Sequence, residues 1–450
     1  MGIALVQVEP HGIESLLRLL RFITASVFLA VSVQLLTACS PGLDAGDKVV
    51  RVYAPFFDAS ADAFKRELSL VSARTGIQVV LETPSNLNDQ IDSDIKANSL
   101  PDIVIWDNPR DLLNHSDKLV ALEQLVNVAS IKDTLISGWA EVASQGEKTF
   151  GLPVSSNIKT GNKSLVFYSP KAFERNGYAV PTNGQELLAL TEQIKKDKSG
   201  YPWCAGIESG GATGWPATDW LEQYVLEQAG QSVYNQWISG KVSFDSQEVS
   251  SAASTVSELL LSEGSVYGGG VQMSKTSFGE TTPLFSDGGL SSGQCFMFKQ
   301  GSFLTDFFPT EIQAEVLSGN FESVNAFALP PLKDSKRVVI GDGFIASAFV
   351  KDSDVSEVLR FVLSDQFGME MVKSVPFLSP HKTFDVDAYP AGFARLVGRA
   401  TAEADLFGFD ASTAMPRQVN EQFWIAVASW IRGESSWPDA AQAIDASYPR

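Results

Sequence analysis

Apolar and polar residues follow two different periods along the chain, and the switches between them mark the first elements. Val49 to Tyr53 is short and apolar-rich, as a buried strand should be. From Asp58 the period changes. Phe64, Leu68 and Val71 recur at i, i+4 and i+7, which predicts a helix with one buried face, capped by Asp58 or Ser60. Thr75-Gly76 predicts its stop, because glycine takes the left-handed conformation just past a helix end. Ile77 to Leu81 reads as a second strand, Leu87 to Ala97 as a second helix, and Ile103 to Trp106 as a third strand. Such alternation predicts a parallel sheet wrapped by helices. Ligands of these sheets bind beyond the carboxyl ends of the strands. Those ends are Phe56-Phe57-Asp58 and Trp106-Asp107-Asn108-Pro109-Arg110.

Farther along, extended segments surround Asn157 to Asn162, and a strand follows at Ser164 to Tyr168. Helices are predicted around Pro170 to Asn176 and over Gln185 to Lys196. A Gly/Trp/Pro-rich stretch from Gly200 to Trp220 leads into a long helix reaching Ala229. Strand and helix signals alternate to about Val350; beyond it Ser353 to Val372 and Asn420 to Ile431 are the clearest helices. No internal repeat or low-complexity tract is visible. At 450 residues the chain exceeds one ordinary core, so the pattern predicts two α/β lobes. Hydrophobic residues make up 44% and charged residues 19%, a balance that excludes a disordered chain. The formal charge of −19 excludes phosphate backbones as partners and makes a neutral ligand the natural one.

The N-terminus reads as an address. Arg18 and Arg21 precede an apolar run of 15 residues, Phe22 to Leu36, shorter than the roughly 20 a bilayer-spanning helix needs. It closes on Leu36-Thr37-Ala38-Cys39, a pattern that looks like the bacterial lipobox, in which the cysteine carries the lipid and begins the mature chain. Residues 1–38 are thus expected to be a signal peptide and 39–47 a lipidated tether. With Cys39 acylated, Cys204 and Cys295 are left as the one possible bridge; two buried thiols are the alternative.

Longer runs carry a family resemblance. Residues 49 to 110, with a strand, an acidic loop, a helix, Thr75-Gly76-Ile77 and Pro101-Asp102-Ile103 ahead of Trp106, resemble the first lobe of maltose-type bacterial extracellular solute-binding proteins of family 1. The α-glucoside-binding lipoproteins of ABC sugar importers are closer still. Their runs are matched by 201–210 (YPWCAGIESG), 214–220 (GWPATDW), 268–270 (GGG), 276–279 (TSFG), 378–382 (LSPHK), 409–412 (FDAS), Met415-Pro416 and Phe423-Trp424. Two departures stand out. The run after Phe409-Asp410 lacks a second acid, and the Asn-x-Lys-Ser-Leu-Val pattern is spread over Asn157 and Asn162, either of which could be the equivalent. The resemblance covers residues 48 to 449. It implies a periplasmic-binding-protein-like type II fold, with two α/β lobes joined by a multi-strand hinge and the ligand held in the cleft between them. Lobe 1 would comprise residues 48–155 plus about 340–375, and lobe 2 residues 156–339 plus about 376–450. The resemblance further implies capture of an α-glucoside or related oligosaccharide by an exported monomer and its delivery to an ABC permease. Such a monomer would be lipid-anchored at the outer face of the cytoplasmic membrane and need no cofactor or metal.

A sugar ring has an apolar C–H face and a rim of hydroxyls, so its site needs aromatic platforms beside carboxylates, amides and guanidinium groups. Trp106, at a strand end followed by polar residues, suits a platform. Asp107 and Arg110 adjoin it, Arg110 serving a hydroxyl or merely the surface. Phe57 and Asp58 sit at the first strand end, Asp58 as ligand or helix cap. Asn157 lies on a presumed hinge strand, as does Asp342 between Gly341 and Gly343, whose lack of side chains lets backbone approach the sugar. Glu208 occupies a glycine-rich loop. Trp215 precedes Pro216 at a helix mouth, and Asp219 one turn on either meets the ligand or offsets the helix dipole. Phe303 suits stacking or core. Trp424 lies off the apolar stripe of Phe423, Val427, Trp430 and Ile431, which favours the cleft.

The alternative function is a secreted carbohydrate-active lipoprotein enzyme, a glycoside hydrolase. No catalytic signature supports it: there is no G-x-S-x-G, C-x-x-C or P-loop run, and only three histidines. A structural or adhesive lipoprotein would show repeats or Thr/Pro stalks.

Overall fold

The computed structural model describes residues 49–332 and 336–449, so the signal segment, the tether and Cys39 lie outside the described residues. The first strands are β1 (Val49–Tyr53), β2 (Gln78–Glu82) and β3 (Ile103–Trp106). The helix Asp58–Thr75 buries Ala63, Phe64, Leu68 and Val71, the predicted stripe, and stops at Gly76 with φ of 76°. Its start differs from expectation. Phe57, extended and without a side-chain acceptor, holds the N-cap position, and Asp58 opens the first turn with φ of 49°. Asp58 therefore complements the helix dipole as a charge rather than as a cap.

Two sheets organise the rest. A hairpin of β4 (Ser144–Gln145) and β5 (Lys148–Thr149) precedes β6 (Leu152–Ser155), and β7 (Leu165–Tyr168) begins the second sheet. There follow β8 (Tyr201–Trp203), β9 (Cys295–Gln300), β10 (Asn325–Ala328), β11 (Val338–Gly341), β12 (Phe344–Ala348) and β13 (Leu406–Phe409). The first sheet runs β2-β1-β3-β12-β6 and the second β10-β7-β9-β8, while β11 and β13 form a parallel pair. The first sheet is mixed rather than parallel, because β12 enters antiparallel to both β3 and β6. Both faces of each sheet are covered. In the first, Val52 and Ile105 pack with Phe64 while Tyr53, Val104 and Trp106 are buried on the other face. In the second, Val166 and Trp203 pack with Tyr224 and Phe423 while Leu165 and Phe167 are buried on the other. Two sheet-bearing lobes connected by several strands make a type II periplasmic-binding-protein-like fold.

The chain crosses between the sheets over 155–165, and Lys163 N–H meets the Ile340 carbonyl at 2.7 Å. It crosses again at Gly341–Phe344. The segment 376–382 stitches across as well, pairing Leu378 with Ser156 and His381 with Leu135. The bridge between Cys204 and Cys295 is formed, with Cα atoms 5.2 Å apart, joining the neighbouring strands β8 and β9. The long helix runs Trp215–Ile238, past a break at Gly230 with φ of 79°, where its sequence signal fades. The helix expected over 353–372 ends at Val362. Gly368 beyond it takes φ of +94° with the Phe377 ring where a Cβ would stand, a turn no helix continues through. Among the described residues no helix is long and apolar enough to cross a membrane.

Candidate functional site

The site begins at a helix mouth. Gly214, with φ of +119°, lets the chain turn into the helix Trp215–Ile238. A Cβ there would lie 2.2 Å from the backbone oxygen of Trp424, so only glycine permits this close approach. The chain just before Trp215 is thereby packed on the backbone of Trp424, and both tryptophans are half-buried. The Trp424 indole N–H is buried with no partner among the described residues. Around Trp215 stand Phe278 at 5.2 Å and Phe303 at 5.9 Å between ring centroids. Phe278 in turn meets Phe307 at 5.2 Å. These are tilted and edge-on pairs, which the aromatic quadrupole favours and which leave ring faces open.

Backbone pairing fixes this wall. Phe303 N–H donates to the Lys159 carbonyl at 3.1 Å and Ser302 Oγ to that of Ile158 at 2.6 Å, tying the ring to the first crossing. Glu208 N–H bonds Thr276 O, and Phe278 N–H bonds Glu208 O. The Glu208 carboxylate accepts from Gly210 N–H at 2.9 Å, so it shapes its own loop beside Phe278.

From Phe303 the contacts lead to the hinge. Asp342 Oδ1 accepts from Thr160 Oγ1 at 2.8 Å and its carbonyl from Ser156 Oγ at 2.6 Å. Burial raises its carboxyl pKa. Asn157 is half-buried next to it, its Oδ1 taking the Lys159 N–H at 2.9 Å. Asn162 is fully buried and spends its amide on Thr401 and Ser164 N–H, a structural role. Beyond Asp342, the Phe344 ring meets Phe56 at 4.6 Å, and the neighbouring Phe57 is 52% exposed. An open aromatic ring at a strand's carboxyl end is an unusual expense for a core, and Asp58 beside it is also exposed.

Two expectations are corrected. Trp106 is not a platform: it is 0% exposed, donates its indole N–H to Ser347 Oγ on β12 at 2.7 Å and stacks on His115. The entry of β12 beside β3, together with the helix Pro109–Asn114, closes it into the core. Asp219 is withdrawn too. It is 3% exposed, behind Trp215, with one carboxylate oxygen 3.4 Å from Lys163 Nζ and the other unpartnered among the described residues. Asp107 remains open to solvent, although surrounding protein desolvates it enough to raise its carboxyl pKa. Arg110 is not brought to the aromatic wall. It lines a cavity of about 470 Å³ with Glu141, Asn235, Lys241 and Ala414, none of them a candidate residue. A groove of about 750 Å³ on the second lobe, lined by Phe327, Pro331, Arg337, Arg395 and Arg399, holds none of the candidates either.

Behind the wall lies a buried ionic set of which the sequence reading named only Asp219 as a candidate. Lys163 pairs with Asp219 and Asp410 and sits 5.6 Å from the Trp215 ring. Burial opposes its charge, but the carboxylates of Asp219 and Asp410 prevail and hold its pKa well above the ordinary value. Burial pushes Asp219 up to about 6 and Glu222 well above its usual range, whereas Lys163 keeps Asp410 low against the same burial. Burial brings Lys299 down to about 8. Asp219, Glu222 and Asp410 offer oxygens within 4.8 Å of one another, the spacing of a metal cradle. The Lys163 ammonium already fills it, and Glu222 is taken by Ala411 and Ser412 N–H groups, so the set is an internal ion-pair network. Lys163 stands in the matched Asn-Lys-Ser-Leu-Val run after the buried Asn162, but in a polar crossing that also carries Lys159 nothing local set it apart. Phe278 stood in a matched run but carried no separate signal.

Comparison with known proteins follows the same lines. The family described as bacterial extracellular solute-binding protein matches residues 55–367. The osmoprotective compounds-binding protein GgtB of a Synechocystis strain is 27% identical over 430 residues, covering 94% of this chain and 98% of that one. The alpha-glucosides-binding periplasmic protein AglE of Rhizobium meliloti is 29% identical over 422 residues, 90% of this chain and 88% of its own. Among solved structures, the bacterial solute receptor AcbH superposes with a TM-score of 0.67 at 14% identity, over 89% of this chain and 98% of that one. The cyclic alpha-maltosyl-1,6-maltose binding protein of Arthrobacter globiformis gives 0.61 at 17% identity, with 89% and 98% covered.

Proposed function

The chain belongs to the bacterial extracellular solute-binding proteins, and from that premise we propose that its solute is a carbohydrate, an α-glucoside or related oligosaccharide. The observation that carries this reading is the half-open aromatic wall of Trp215, Phe278 and Phe303 beside hydroxyl and carboxylate groups at the hinge. Flat apolar faces next to polar groups match a pyranose, which has one of each. The names of GgtB and AglE support a small polar or glucosidic solute.

The mechanism is closure of two lobes, residues 48–155 plus about 340–375 against 156–339 plus about 376–450. Phe57 and Asp58 approach from the first, and Trp215, Phe303 and Trp424 from the second. Sugar favours the closed state by its differential affinity, and an ABC permease takes delivery from that state. Cys39 anchors the mature chain to the outer face of the membrane, and the sugar is released chemically unchanged. Incubation of the mature protein with maltose, sucrose and trehalose tests this. Saturable binding without turnover and a smaller radius of gyration with ligand are expected. Hydrolysis products would instead make the protein a glycoside hydrolase, and silence toward every glycan would end the carbohydrate reading.

A further inference from the structure

Phe307 is a large apolar side chain left 44% exposed, yet it is held in place. A Cβ added at Gly279 would lie 2.4 Å from its Cδ1, so the ring rests against backbone that only glycine leaves bare. Its carbonyl is fixed by Thr281 Oγ1 at 2.8 Å. Phe278 lies 5.2 Å from both Phe307 and Trp215 by ring centroids, and Phe303 completes a triangle with Trp215 and Phe278 at 5.9 and 6.2 Å. The aromatic surface therefore has an inner part, Trp215 and Phe303 with Phe278 at their edge, and one step beyond it from Phe278 to Phe307, comparable to the width of one more pyranose. A surface of this length gives a monosaccharide nothing on its outer part.

Resting on the carbohydrate reading above, we infer that Phe278 and Phe307 form an outer platform for a second sugar ring, so that the ligand is a disaccharide or longer. The first ring lies at Trp215 and Phe303, and the next turns its C–H face to Phe307. Phe307 is exposed and ends the short helical turn Ser302–Phe307, and the bond from Thr281 to its carbonyl does not involve the ring, so the ring can be trimmed without touching that anchor.

Calorimetric titrations of the mature chain and of Phe307→Ala with glucose, maltose and maltotriose, and with sucrose and trehalose as alternative linkages, test the inference. Wild type should bind the longer ligands of its preferred linkage more tightly than the monosaccharide. In Phe307→Ala that advantage should shrink about two- to tenfold, the range one aromatic contact contributes, and Phe307→Tyr should restore it. An equal loss for every ligand length, or no loss for any, overturns the outer platform while leaving sugar binding standing. Failure of wild type to bind any saccharide overturns both together. Thermal unfolding of Phe307→Ala at the wild-type temperature confirms that the readout is binding.

Discussion

Acidification should weaken the fold through one histidine. His381 is 2% exposed on the segment that stitches the lobes, with Nδ1 2.8 Å from Thr134 Oγ1. The Thr134 hydroxyl spends its hydrogen on the Ile131 carbonyl at 2.8 Å, so Nδ1 must be the donor to it. Nε2 is then a bare, buried lone pair with no partner among the described residues, and a proton placed there gains nothing. Burial lowers the pKa from 6.5 to about 4, outweighing the nearby Asp365 carboxylate. Between those values the unfolded chain binds more protons than the folded one. The stabilisation is therefore complete above about pH 6.5 and drains away as pH falls toward 4. A displacement of this size corresponds to about 3 kcal/mol. The assay is urea unfolding of wild type and His381→Gln from pH 7 to pH 4.5. Carboxylates common to both, Asp219 among them, cancel in the difference. Wild type should lose most of about 3 kcal/mol relative to the variant across that range. A difference that stays flat, or that moves in favour of wild type in acid, would mean that the imidazolium is accommodated and that the burial reasoning is wrong.

Trp215→Ala should weaken sugar binding about tenfold by calorimetry, the order of one well-placed aromatic contact; an unchanged affinity would remove Trp215 from the wall. Trp106→Phe should leave affinity within twofold and cost about 1–3 kcal/mol in denaturant melts, through the lost Ser347 bond and a small void. A binding defect larger than its stability defect would restore it as a platform. Lys163→Met strands Asp219 and Asp410 in the interior and should cost about 3–5 kcal/mol, and a neutral result would show water reaching the network. Opening the bridge that spans 91 residues, by Cys204→Ser with Cys295→Ser, should lower stability by about 4–5 kcal/mol on the loop-entropy model. A loss under about 1 kcal/mol would place the constraint elsewhere.

Local periodicity was a good guide wherever an element's neighbours in space are its neighbours in sequence. The stripe of Phe64, Leu68 and Val71 is buried as predicted, and Gly76 stops that helix as its chemistry requires. Periodicity had no access to β12. That strand lies some 240 residues from β3 and yet pairs with it from Ala348 opposite Ile103 to Ile345 opposite Trp106. The apolar run of β3 looks the same with a parallel or an antiparallel partner, so the mixed sheet is a fact of tertiary pairing alone.

The error at Trp106 has the same root. A tryptophan at a strand end, followed by Asp107 and Asn108, reads as a mouth residue, because its own segment turns polar there. What encloses it is Ser347, supplied by the distant strand, and His115 at the end of the next helix. Lys163 makes the converse case. A lysine in a polar crossing looks like a solvated charge, as its neighbour Lys159 is, and the burial of Lys163 is tolerable only because Asp219 and Asp410 arrive from 56 and 247 residues away. The residues behind the wall thus depend on contacts that no window of sequence contains, whereas Trp215 had Gly214 and Pro216 at its sides to mark a helix mouth, and Phe303 was left open between stacking and core. A platform must be reached by solvent on one face, so the chain leaves local turn signals around it. A core aromatic or a buried ion pair needs no such signals, and sequence alone gives away the surface of this site more readily than its support.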